Sequence, residues 1–309
     1  MKVVFLGTPD FGVPAMKNIL ASQRHQLVAT VCQPDRVGSR GKVVLPAVKQ
    51  FSLENGIPCY QFEKVSRDGV ETLKSLAPDI MVTAAYGQIL SDEVIAIAPH
   101  GIINIHGSLL PKLRGAAPIQ YAVWKGEKQT GVTILNTVRK VDAGEMILKE
   151  ALDIGDDETS GELFERLAEL GGKLIVRALD AIEDGTAIYT PQNEDEVTFS
   201  AKISVDDEKI DWNKSAKEVH DLVRALNPNP VAWTTLCGKR LKIFRTRTST
   251  CRLEGEVGQV VEVNKKYFSV ACAKGVVDVL EVQPENGKKM DSASFLNGNK
   301  LSKGDFLGK

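Results

Sequence analysis

Residues Asp79 to Ala85 read DIMVTAA, a run in which apolar residues do not alternate with polar ones. A strand of this kind must be covered on both faces, which a parallel or mostly parallel sheet between helices provides. The surrounding chain supplies such helices. Val3 to Leu6 reads as a strand, followed by a turn at Gly7-Thr8-Pro9-Asp10 and a helical pattern from about Phe11 to Leu20. Leu27 to Cys32 is rich in β-formers, and Val43 to Phe51 begins a second helix. Gly101 to His106 (GIINIH) is a further strand, and a helical stretch from Ala117 to Trp124 leads into another at Thr130 to Val138. Alternation of this type predicts an α/β domain.

A long amphipathic segment then runs from Gly161 to Glu183. Thr159 with Glu162 three residues on forms a capping box at its start, and Gly185 suits its end. Residues from Tyr189 to about Lys209 are acidic, contain Pro191 and show no period, as a connector does. A short helix from Ser215 to Ala225 stops at Asn227-Pro228-Asn229-Pro230. The pattern then changes to short strands at Val231 to Leu236, Arg240 to Thr246, Gly258 to Val263, Phe268 to Ala271 and Val276 to Gln283. Five short strands separated by turns predict a small antiparallel barrel. With 309 residues, two domains are expected. The expected architecture is a mostly parallel, Rossmann-like sheet over residues 1–189, a connector over 190–208, and an OB-like antiparallel β-barrel over 209–309.

Composition narrows the class. At 43% hydrophobic and 26% charged residues the chain is neither disordered nor fibrous. No run reaches the length of a membrane-spanning helix, and Met1 leads straight into a strand rather than a signal peptide, so a cytoplasmic protein is expected. The five cysteines (Cys32, Cys59, Cys237, Cys251, Cys272) are scattered without a C-x-x-C pair, so reduced thiols and no metal are expected. No apolar seam stands out, which favours a monomer. The net charge of −1 conceals two patches. Glu150 to Glu196 holds fourteen acids and three bases, whereas Lys239 to Leu253 holds six bases and no acid. Local patches, not the sum, decide whether a polyanion is attracted, although a run of charge is most often only a solvated face.

The opening Gly7-Thr8-Pro9-Asp10-Phe11-Gly12 sits where a dinucleotide fingerprint would be, but Pro9 replaces the second glycine. Proline removes an N–H where the backbone should approach a pyrophosphate, so nicotinamide chemistry loses its support. More informative is Asn104-Ile105-His106 at the carboxyl end of an apolar strand, where ligands collect in open α/β sheets. Strand period places the amide and the imidazole on one face, a donor cluster suited to an oxyanion and to proton transfer. Val141-Asp142-Ala143-Gly144-Glu145, after the strand ending near Val138, offers the carboxylate such a histidine needs. Taken singly, Asn104 reads equally as a turn cap, His106 as a satisfied histidine and Asp142 as a turn residue.

Together these residues resemble the folate-dependent formyltransferases. Asn104 and His106 lie within HGSLLPKLRG and its approach, and an Asp-x-Gly loop follows about three dozen residues later. The tRNA-acting branch of that family is resembled further by G-T-P-D-F at the amino terminus, Q-P-D-R…G-x-R-G-K at Gln33 to Lys42 and A-Y-G-Q-I-L at Ala85 to Leu90. Downstream, E-T-S-G-E-L at Glu158 to Leu163, I-D-W at Ile210 to Trp212 and R-A-L-N-P-N-P at Arg224 to Pro230 continue it in order. The resemblance implies Asn104, His106 and Asp142 as the catalytic trio. Ser108, Leu109, Leu110 and Pro111 match the folate-binding segment, and Tyr86, Gly87, Gln88, Ile89, Leu90 and Val141 match walls of the pterin pocket. The implied co-substrate is 10-formyltetrahydrofolate, with no metal, and the implied acceptor is the α-amine of initiator methionyl-tRNA, held by its acceptor stem. Arg40 matches the arginine the family uses on that stem; Arg36 and Lys42 flank it, and Lys239, Arg240, Lys242, Arg245 and Arg247 are the expected phosphate contacts of the second domain. One departure is Glu145, where the family often carries Asp. Rival readings are formyl transfer to a small amine such as glycinamide ribonucleotide or an amino sugar, hydrolysis of the formyl donor, and non-catalytic tRNA binding.

Overall fold

The run DIMVTAA forms a strand at Ile80–Ala84 whose five residues are all buried. It is the middle strand of a seven-stranded sheet in the computed structural model, which describes residues 1–37, 41, 43–250 and 254–309. In chain order the strands are β1 (Lys2–Gly7), β2 (Gln26–Cys32), β3 (Cys59–Gln61), β4 (Ile80–Ala84), β5 (Ile102–His106), β6 (Gln129–Asn136) and β7 (Met146–Asp153). Across the sheet they run β7-β6-β5-β4-β1-β2-β3. The pairs β1–β2, β1–β4, β2–β3 and β4–β5 are parallel, and β5–β6 is antiparallel. The 3-2-1-4-5 parallel core is the doubly wound order, with two strands added beyond β5. One face buries Val4, Leu6, Val31, Met81 and Ile102 against Leu73, Tyr86 and Val94.

The helices are α1 (Val13–Ala21), α2 (Ala47–Glu54), α3 (Val70–Leu76), α4 (Asp92–Ile95), α5 (Pro118–Trp124) and α6 (Ser160–Glu183). The glycines of the opening turn serve packing: a Cβ on either Gly7 or Gly12 would lie 2.7 Å from the Phe5 ring. At the start of α6 the capping box forms as expected. The Thr159 N–H donates to Glu162 Oε2 at 2.8 Å, and the Glu162 N–H donates to Thr159 Oγ1 at 3.2 Å.

Contacts group residues 1–118, 130–152 and 164–200 into one unit, and 119–129, 153–163 and 201–309 into a second. This division is not linear along the chain, and a buried guanidinium shows why. Arg224 Nη1 donates to the carbonyls of Gly155 at 3.2 Å and Glu158 at 3.0 Å, and its Nη2 donates to the carbonyl of Val123 at 3.4 Å. Both excursions of the chain thus end on one side chain of α7 (Ala216–Ala225). The 190–208 stretch is partly committed as well, because Phe199–Ser200 pairs in parallel with Arg114–Gly115.

The second unit is a curled antiparallel sheet. Its strands are β8 (Trp233–Leu236), β9 (Lys239–Thr248), β10 (Val260–Val263), β11 (Phe268–Ala271), β12 (Val276–Pro284) and β13 (Met290–Asp291), ordered β8-β9-β12-β11-β10 with β13 on β12. Residues 304–308 close the gap between the outer strands. Leu307 bridges Leu236 and Phe306 bridges Gln259, with the Leu307 N–H on the Gly258 carbonyl at 2.8 Å and the Gly308 N–H on the Thr235 carbonyl at 2.9 Å. Trp212, Val219, Leu226, Ile243, Phe268 and Phe295 fill the interior, which gives this unit its own core. Among the described residues no helix is long and apolar enough to cross a membrane.

Candidate active site

Three polar side chains converge at the carboxyl end of β5. Strand period puts Asn104 and His106 on one face, and each is aimed by a second contact. Thr83 of β4 donates its hydroxyl to Asn104 Oδ1 at 2.9 Å, which turns Asn104 Nδ2 toward Asp142 Oδ1 at 3.4 Å. His106 Nε2 lies 2.9 Å from the Leu113 carbonyl oxygen. A carbonyl carries no proton, so Nε2 must be the donor, and Nδ1 is the ring nitrogen free to gain or lose one. It faces Asp142 Oδ1 at 3.6 Å, with both side chains largely buried. The other carboxylate oxygen, Asp142 Oδ2, accepts the Gly115 N–H at 2.9 Å. An amide, an imidazole and a carboxylate so placed can receive a developing oxyanion and carry a proton.

Asp142 sits in the β6–β7 loop with φ +51°, a left-handed conformation that costs a non-glycine residue energy and needs outside support. Gln192 gives that support, donating through Nε2 to the carbonyls of Asp142 and Gly144, both at 2.8 Å. Gln192 Oε1 accepts from Arg114 Nε at 3.0 Å and Nη2 at 2.9 Å, and Arg114 Nη2 also pairs with Glu194 at 2.9 Å. Hydrogen bonds from Arg114 and then Lys140 hold the Glu194 carboxyl down at about 2. Sequence reasoning missed Gln192 and Glu194, because they lie in the stretch read as a connector and no local period marks them. Gly144 is fixed by the same crowding: a Cβ there would lie 1.8 Å from the Asn136 carbonyl oxygen.

The expected folate-facing segments divide by exposure. Ser108 donates its hydroxyl to the Lys112 carbonyl at 2.6 Å, while Thr133 Oγ1 donates to the Ser108 carbonyl at 2.7 Å and receives the Leu110 N–H at 3.1 Å. Leu110 packs on Leu135 and Met146, Pro111 is buried, and Leu109 is half-buried. In the 85–90 loop the Tyr86 carbonyl is held by Thr8 Oγ1 and Gln33 Nε2, while its ring enters the core with a hydroxyl that has no hydrogen-bond partner among the described residues and whose pKa burial pushes up. Gln88 is committed to the backbone of Phe62, Glu63 and Val65, and Leu90 is in the core. Ile89 and Val141 remain outward, 78% and 57% exposed, and Gly87 has φ +82°. Arg139 reaches Asp92 at 3.3 Å, tying the β6–β7 loop to the start of α4.

Residues 1–179 match the family model described as Formyl transferase, and residues 202–300 match Formyl transferase, C-terminal domain. The methionyl-tRNA formyltransferase of Acetivibrio thermocellus is 41% identical, with all of both chains covered. That of Lactobacillus gasseri is 45% identical over 96% of this chain and 95% of its own. The chain belongs to the methionyl-tRNA formyltransferase family.

Beyond the methionyl-tRNA formyltransferases, solved structures share the fold at lower identity. An N-formyltransferase from Helicobacter canadensis, in complex with folinic acid and dTDP-3-aminofucose, superposes with a TM-score of 0.70 at 17% identity, covering 94% of this chain and 100% of that one. HypX from Aquifex aeolicus in complex with tetrahydrofolic acid gives 0.66 at 19% identity, covering 100% of this chain and 51% of that one.

The basic residues expected to meet nucleic acid are placed unevenly. Arg36 is exposed on a two-residue ladder, Arg36–Val37 against Val43–Val44; Arg40 and Lys42 lie outside the described residues. On β9 a strict period of two would put Arg240 and Lys242 opposite Arg245 and Arg247. The ladder with β12 instead shifts between Ile243 and Arg245, and this bulge turns all four outward while Leu241, Ile243 and Thr246 face the core. Arg240 stacks on Trp233, 3.9 Å from the ring centroid. Arg245 pairs with Glu162 at 3.0 Å, and Arg247 pairs with Asp278 at 2.9 Å beside Tyr267. Lys239 is exposed and Lys242 half-buried.

Proposed function

We propose that this chain transfers the formyl group of 10-formyltetrahydrofolate to the α-amino group of initiator methionyl-tRNA, held by its acceptor stem. One observation carries the reading: Asn104, His106 and Asp142 meet at the carboxyl end of β5 in a chain that matches methionyl-tRNA formyltransferases end to end. The residues present suit a folate. Its flat heterocycle wants apolar contact and an open backbone edge, and Ile89, Val141 and Gly87 offer both. The site belongs to one chain, so we place the reaction on a monomer, in the cytoplasm where charged tRNA is used.

In the reaction the amine nitrogen bonds to the formyl carbon, the bond from that carbon to N10 breaks, and one proton passes from the amine to N10. Asn104 Nδ2, already aimed by Thr83, donates to the formyl oxygen as it gains charge; removing one such donor costs about 3–4 kcal/mol of transition-state stabilisation. His106 Nδ1 takes the amine proton and returns it toward N10, and the Asp142 carboxylate stabilises the imidazolium formed in between. Incubating 10-formyltetrahydrofolate with methionyl-tRNA, with small amines, or with neither tests the reading. Formyl transfer is expected to methionyl-tRNA alone. Formylation of the small amines or release of formate without acceptor would replace it by one of its rivals.

Binding is expected to depend on salt. If Lys239, Arg240 and Lys242 each neutralise a phosphate, a slope of roughly −0.9 per contact gives about a 40-fold loss of methionyl-tRNA affinity between 50 and 200 mM salt. Lys242→Ala is expected to flatten that slope by about one unit. Arg247→Ala should flatten it less, since Asp278 already satisfies that guanidinium. Filter binding at several salt concentrations checks both, and a flat response would remove the electrostatic contribution.

A further inference from the structure

We infer that Gln192 is the positioning residue for the catalytic carboxylate, an inference that rests on Asp142 acting in formyl transfer. The argument is one of hydrogen-bond valence. A glutamine amide has two N–H donors and two acceptor lone pairs, and all four are in use here. Both Nε2 hydrogens go to the carbonyls of Asp142 and Gly144, and Oε1 takes two N–H groups from Arg114. The amide therefore has one orientation, because a flip would set oxygen against two carbonyl oxygens and NH2 against a guanidinium.

The contacts close into a ring. Gln192 holds the Asp142 main chain, the Arg114 side chain holds Gln192, and Gly115, next to Arg114 in the chain, holds the Asp142 carboxylate through its N–H. Main chain and side chain of Asp142 are fixed from the same short segment, which is what a residue at φ +51° requires to keep its carboxylate on His106 and Asn104. Arg114 is 1% exposed, so the anchor of the ring cannot swing into solvent.

Two substitutions separate the two halves of the amide. Gln192→Met removes both. Gln192→Glu keeps an acceptor for Arg114, and as a charge pair strengthens it, but sets a carboxylate oxygen against the carbonyls of Asp142 and Gly144. Single-turnover formylation at saturating substrates is expected to slow about 100-fold in both variants, the order of effect of a displacement near 1 Å, with KM for each substrate little changed. If Gln192 only anchored Arg114, Gln192→Glu would react at the normal rate, and that result overturns the inference. A cycle with Asp142→Asn gives the second readout: when Asp142 is already disabled, Gln192→Met is expected to slow the reaction by no more than about threefold. Full additivity would assign Gln192 a structural role independent of Asp142 and overturn the inference. Normal turnover of Asp142→Asn alone would instead overturn the catalytic reading, so the two failures are told apart.

Discussion

Asp142→Asn is expected to slow single-turnover formylation of methionyl-tRNA by about 10³-fold or more, the scale seen when a carboxylate that orients a catalytic histidine becomes an amide. The substitution is nearly isosteric, and the Gly115 N–H requires an acceptor, so the new amide oxygen stays on that side. Its NH2 then points at Asn104 Nδ2, donor against donor, and at His106 Nδ1, which it can only meet while that nitrogen is unprotonated. The imidazolium proposed midway through the reaction then loses its counter-charge and is opposed by a neighbouring N–H. KM for the folate and for methionyl-tRNA should move little, because the carboxylate acts on the developing charge and not on the bound ground state. Rapid-quench kinetics at saturating substrates measure the effect, and a loss below tenfold would remove Asp142 from the mechanism.

The second large effect is on stability. Asp221 and Arg224 are both 4% exposed. Asp221 Oδ1 takes Arg224 Nε at 2.9 Å and Nη2 at 2.8 Å, and Lys217 Nζ reaches Oδ2 at 2.6 Å. Asp221→Leu leaves the guanidinium buried with main-chain carbonyls as its hydrogen-bond partners among the described residues. Breaking a buried pair from one side costs about 3–5 kcal/mol, a large part of the 5–15 kcal/mol that holds a typical domain folded. Denaturant unfolding followed by tryptophan fluorescence should show that loss, with Trp212 in the core of this unit as reporter. The double variant Asp221→Leu/Arg224→Met should recover part of it, since the only charge left without its partner, Lys217, is more than half exposed to water. A destabilisation under about 1 kcal/mol for Asp221→Leu would mean that the three carbonyls alone satisfy Arg224.

Much of this architecture was legible in the chain. The mostly apolar run at 79–85, with no polar alternation, demanded a doubly covered strand, and Ile80–Ala84 is the middle strand of the mostly parallel sheet. Thr159 and Glu162 announced the start of α6 through an interaction three residues long. Period two placed Asn104 and His106 together on a strand end. Strand β7 (Met146–Asp153, MILKEALD) was not foreseen; its second half is exposed, so burial wrote no apolar pattern into it. Arg245 and Arg247 were expected on the exposed side and are exposed, but the bulge that lets them share that side with Arg240 and Lys242 was hidden, because it reverses parity without a mark in the composition.

What the sequence by itself determined is what neighbours in the chain decide: period, caps, turns, and motif order enough to point to a formyltransferase. What the tertiary structure alone decided is which distant groups share a proton or a carbonyl. Gln192 reaches Asp142 across 50 residues, and Arg224 reaches Val123 across 101. No periodicity spans such distances. The need to satisfy a buried guanidinium and to hold one aspartate in a left-handed conformation brings these residues together, and each demand exists only once the chain has folded around it.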